Sequence, residues 1–94
     1  MITDVFGDYV DPSEVLGMLM DGADTEGECL AYSNERGMLS SIEVKPSLPQ
    51  TVFVSDDTYG SGVYSIDDVE EAVDTFLGYV EMHEKAGRPR SRVA

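Results

Sequence analysis

The stretch from Ser65 to Gly87 limits most what this chain can fold into. Ile66, Val69, Val73, Phe76, Leu77 and Val80 recur at helical spacing, so a helix here carries one apolar stripe. Ser65 stands at the N-cap with Asp68 at the capping-box position, and Gly87 followed by Pro89 ends the helix after Ala86. Such a stripe needs a second layer to cover it. The remaining residues must supply that layer.

Asp11-Pro12-Ser13-Glu14 predicts a second helix start, with Asp11 as cap, Pro12 in the first turn and Glu14 reaching back. That helix is expected to run through the apolar Val15–Met20 run to about Asp21 and to stop at Gly22. Residues 21–28 read as an acidic loop. Cys29–Asn34 and Met38–Lys45 flank Glu35-Arg36-Gly37 and read as a hairpin. Thr51–Ser55 is the strongest β segment, set off by Pro46 and Pro49. Val63-Tyr64 adds a short edge strand. The expected fold is α+β: a small antiparallel sheet of three to four strands packed by an N-terminal and a long C-terminal helix, in the order α-β-β-β-α. Residues 1–86 form one domain in this reading, and residues 87–94 a flexible basic tail.

Charge then narrows function. The chain holds nineteen acids, six bases and one histidine, for a net −13. All nineteen acids precede Lys85, where only Arg36 and Lys45 oppose them, so the body carries −17; Lys85, Arg88, Arg90 and Arg92 return +4. With 41% hydrophobic residues the chain has enough apolar content to fold. Direct binding of the body to nucleic acid or an anionic membrane is disfavoured, because the signs match. The single cysteine, Cys29, excludes an intrachain disulfide scaffold. The N-terminus lacks a signal-peptide pattern and no apolar run approaches a membrane span, so a cytoplasmic protein is expected, as a monomer or homodimer.

No catalytic signature is present. Cys29 reads as a small core residue and His83 as a partly exposed helix residue. A lone histidine without a second His or Cys is a poor zinc donor set. The sequence contains neither G-x-S-x-G nor H-E-x-x-H nor a phosphate-cradling loop ending in Lys. No enzyme activity and no cofactor are expected. Asp57–Asp68 partly matches a calcium-binding loop, with Gly62 at the turn position, but Tyr59 and Asp68 stand where an Asp or Asn and a bidentate Glu belong.

The acids of the last helix are the candidate partner-binding residues: Asp67, Glu70, Glu71, Asp74 and Glu81 on one arc, with Asp56 and Asp57 at the helix entrance. From Asp67 to Glu84 such a helix rises ~25 Å, near seven base-pair steps of 3.4 Å. The row can imitate a phosphate backbone and occupy a basic groove of a DNA- or RNA-binding protein. Phage inhibitors of restriction and CRISPR systems share this size and acidity. Two alternatives stand beside it: an acid-rich surface adapted to high salt, or a small structural or regulatory domain binding through an apolar surface of Phe6, Tyr9, Met18, Met20 and Tyr79.

Overall fold

In the computed structural model, which describes residues 1–87, the middle of the molecule is built by alternation. Leu30 and Tyr32, then Ser40, Ile42 and Val44, then Val52, Val54 and Asp56 all point to one side and are buried. These belong to strands β2 (Glu28–Asn34), β3 (Gly37–Lys45) and β4 (Thr51–Asp56). Two further strands flank them, β1 (Ile2–Thr3) beside β2 and β5 (Gly60–Ser65) beside β4. Every pairing is antiparallel, and the order β1-β2-β3-β4-β5 follows the chain.

Helix α1 (Val15–Ala23) lies over β2 and β3, and helix α2 (Val69–Gly87) over β3 and β4, on the same face of the sheet. Val15 and Leu19 from α1 and Val69, Ala72, Val73, Phe76 and Val80 from α2 complete the core. The opposite sheet face carries Cys29, Ala31, Ser41, Glu43, Phe53, Ser55 and Val63, all partly or fully exposed. Among the described residues no helix is long and apolar enough to cross a membrane.

The α+β class with an antiparallel sheet and two helices on one face is as expected. Strand count and order differ. The sheet has five strands in the order β-α-β-β-β-β-α. β1 escapes sequence reading because two residues carry no periodicity; it exists through pairing Ile2 with Tyr32 and Thr3 with Ala31. β5 is longer than Val63-Tyr64 because the hairpin with β4 extends it back to Gly60. The predicted tail lies outside the described residues, save Gly87, which closes α2.

Both predicted caps form. Asp11 accepts the Ser13 N–H at 2.9 Å while Glu14 accepts the Asp11 N–H at 3.0 Å, and Ser65 accepts the Asp67 N–H at 3.2 Å. Each leads into one 3-10 turn before its α-helix. Gly22, expected to stop α1, lies inside it. Its missing Cβ is what β2 requires, since that atom would lie 2.6 Å from the Glu28 Cβ.

Candidate functional site

Five buried apolar positions of α2, Val69, Ala72, Val73, Phe76 and Val80, define its inner side, and the acids fall opposite. Asp67 in the preceding turn and Glu70, Glu71, Asp74 and Glu81 on α2 are all exposed. Glu81 accepts an ion pair from Lys85 at 2.9 Å. Among the described residues Asp67, Glu70, Glu71 and Asp74 have no salt-bridge partner. The first three lie at the helix N-terminus, where the macrodipole favours negative charge. Asp74 lies past the first turn and has no such local compensation. Gly78 leaves a gap in the row before Glu81.

Asp56 and Asp57 are placed differently from expectation. β5 intervenes between them and α2, and the helix runs back along the sheet. Asp57 therefore sits in the β4–β5 turn near His83, towards the far end of α2 rather than at its entrance. Asp57 is exposed. Asp56 is only 7% exposed and faces inward, so it is withdrawn from the partner-facing set.

The inward carboxylate is fully used. Its Oδ1 accepts from the Ser40 hydroxyl and from His83 Nε2, the latter at 2.7 Å. Its Oδ2 accepts the N–H groups of Thr58 and Tyr59, each at 2.8 Å. Burial pushes the Asp56 carboxyl up, but the Ser40, Tyr59, Thr58 and His83 hydrogen bonds outweigh it and hold the group below the ordinary carboxylate range. The ionised carboxylate has no proton to give, so His83 Nε2 carries the hydrogen between them.

His83 corrects a second expectation. It is 3% exposed, because it continues the inward row of Val69, Val73, Phe76 and Val80 by one more turn. Tyr32 stacks on it with ring centres 6.1 Å apart, and Tyr59 covers it at 5.0 Å and a tilt of 48°. Tyr59 in turn stacks on Tyr79 at 5.9 Å. The signal was present in the sequence: a polar side chain at the inward phase of three separate elements, Ser40, Asp56 and His83.

Ser40, Asp56 and His83 are residue types that also serve hydrolytic chemistry, yet their order here does not activate a nucleophile. That chemistry needs histidine to take the hydroxyl proton. Here Asp56 sits between the two and accepts from both. The arrangement holds β3, β4 and α2 together.

A metal reading of Asp56, Asp57 and His83 meets the same obstacle. Their donor atoms lie within 4.8 Å of one another, but both Asp56 oxygens already accept two hydrogens each and His83 Nε2 is directed at one of them. The Asp57 carboxylate accepts from the Thr58 hydroxyl at 3.0 Å. These residues do not fit an ion without dismantling the core contact. The calcium loop fails on geometry too. Strand β5 separates Asp57 from Asp68, and six extended residues span roughly 20 Å, too far for one ion.

Cys29 borders an open groove of about 490 Å³ with Glu26, Glu28, Glu43 and Lys45. Burial pushes its thiol pKa up, and the Glu43 and Glu28 carboxylates add to the shift, so the thiolate is disfavoured. At the N-terminal end, Asp4 accepts the N–H groups of Phe6 and Asp8 at 2.9 and 3.0 Å, and the turn leaves Phe6 86% exposed. Tyr9 and Met20 are also exposed, whereas Met18 and Tyr79 pack partly against the core. Comparison with protein-family models, curated proteins and solved structures returned no match.

Proposed function

We propose that the protein is a non-enzymatic acidic binder that docks the outer face of α2 onto a basic protein surface, in the manner of a nucleic-acid backbone. The observation that supports this reading is the row Asp67, Glu70, Glu71 and Asp74, exposed and without ion-pair partners among the described residues. An ordinary solvated helix face mixes signs to gain i,i+4 pairs. Among the described residues this one makes a single such pair, Glu81 with Lys85. Carboxylates in a row attract Arg and Lys through charge-assisted hydrogen bonds and speed association at low salt. A DNA- or RNA-binding groove, of the kind that phage inhibitors of restriction and CRISPR systems block, is the partner class with matching chemistry.

The test is competition. The protein should displace DNA from a basic groove, with affinity falling steeply as salt rises. The triple variant Asp67→Asn, Glu71→Gln, Asp74→Asn should bind several-fold more weakly and with a flatter salt dependence. Full competition by that variant would remove α2 as the contact surface.

The Asp4-ordered turn favours a second reading, in which Phe6 with Val5 and Tyr9 forms an apolar contact. Buried aromatic anchors dominate such interfaces. In that case Phe6→Ala removes partner binding or self-association, and salt has little effect.

A further inference from the structure

The two edges of the sheet are finished differently. At the β1 edge, Thr3 bridges to Tyr9 and the Val10 N–H donates to the Ile2 carbonyl at 2.8 Å, so a return of the chain covers it. At the other edge, among the described residues, β5 pairs with β4 alone. The Ile66 N–H donates to the Gln50 carbonyl at 3.2 Å, which sets the phase of the ladder. Tyr64 with Val52 and Gly62 with Val54 are then the hydrogen-bonded pairs, and Ser61 and Val63 turn their N–H and C=O groups outward. β5 has no charge and no proline, the usual protections of an open edge.

The surroundings differ on the two sides of this edge. On the helix side, Tyr64 donates its hydroxyl to Thr75 Oγ1 at 3.0 Å, and Thr75 lies one turn beyond exposed Glu71. Asp67 and Asp68 follow directly after Ser65. On the helix-free side, Val63 is 64% exposed and stands opposite Phe53. Lys45 Nζ lies 4.9 Å from the centre of the Phe53 ring. An added strand presents alternate side chains to these two sides.

We propose that β5 is a strand-addition site for an extended peptide segment in which Lys or Arg alternates with apolar residues. Backbone pairing to Ser61 and Val63 supplies the attachment. The basic side chains meet Glu71, Asp67 and Asp68, and the apolar ones meet Val63 and Phe53. A second copy of this chain is the poorer occupant, because it would bring two sets of these carboxylates together. The proposal does not require α2 to imitate a phosphate backbone, and the edge variants below leave every α2 carboxylate in place.

The probe is a six-residue peptide alternating Lys with Val or Thr, compared with a peptide of the same composition grouped as three Lys followed by the apolar residues. The alternating peptide should bind more tightly and slow hydrogen exchange at the Ser61 and Val63 amides. Val63→Pro removes one outward donor without a β4 hydrogen bond, and binding should vanish. Ser61→Lys keeps the backbone intact and sets a charge on the Val63 face, where the peptide's apolar side chains lie, so binding should weaken several-fold. Equal binding of both peptides, or full binding by Ser61→Lys, would overturn the proposal. So would a protein dimer that Val63→Pro dissolves, since a second copy would then hold the edge.

Discussion

Asp56 is the one acid of the described residues whose charge faces inward, and the fold depends on it most. Four donors converge on its carboxylate, from Ser40, Thr58, Tyr59 and His83. Asp56→Asn keeps the shape but replaces an acceptor pair with one acceptor and one donor, which faces other donors. A loss of about 2–4 kcal/mol is expected, from weaker charge-assisted bonds and an unsatisfied buried group. Urea unfolding at pH 7 measures it. The pH dependence follows from the lowered pKa of Asp56. Its stabilisation is present in full above the unfolded-state value, near 3.9, and is lost as pH falls through the folded value. The stability gap between wild type and Asp56→Asn should therefore narrow below about pH 4. A gap that stays constant down to pH 2 would show that the charge is not the source. The residue type alone did not reveal this role; its phase after Val52 and Val54 did, once β4 was in place.

At the scale of elements, caps and periodicity were legible and pairing was not. The Asp11 box, the Ser65 cap and the inward row of α2 depend on residues three or four apart, so local sequence encodes them. β1 and the full length of β5 depend on partners far along the chain. Tyr32 and Ser33 mark another such effect: the register shifts there, leaving Leu39 as the extra residue, and its carbonyl accepts the Asp57 N–H at 3.0 Å. Met38 consequently leaves the buried phase of Ser40, Ile42 and Val44 and is exposed. Gly22 makes the close approach of α1 to β2 testable. Gly22→Ala places a Cβ 2.6 Å from Glu28 Cβ and should destabilise by about 1–3 kcal/mol through overpacking, partly offset by better helix propensity. Gly17→Ala, in the same helix with open space at its Cβ, should instead stabilise by up to ~1 kcal/mol. Equal effects at both sites in denaturant unfolding would refute the packing account.

For the whole molecule, sixteen of the nineteen acids are exposed and only one, Asp56, is buried. The described bases are Arg36, Lys45 and Lys85. Self-repulsion at this density is a standing cost to the folded state. Screening shortens from ~10 Å at 0.1 M salt to ~3 Å at 1 M, so Tm should rise steadily with sodium chloride over this range. A flat Tm in thermal unfolding would mean that the acids are too well hydrated and dispersed to oppose folding. The α+β layering and the location of the acidic helix could be read from sequence; the inward turn of one carboxylate and the bare sheet edge required the strands to be paired.

The strand order carries a kinetic consequence as well. Because β2 through β5 lie side by side in chain order, each of their three hairpins closes over a short connection: Glu35-Arg36, Pro46 to Gln50, and Asp57 to Tyr59. Loop closure is cheap at these lengths, and a high share of local contacts favours rapid folding. The sheet can grow by successive zippering before α2 docks, and that docking brings His83 to an Asp56 already held by Thr58 and Tyr59. Helix arrival would then be the late event, felt mainly in the rate of unfolding.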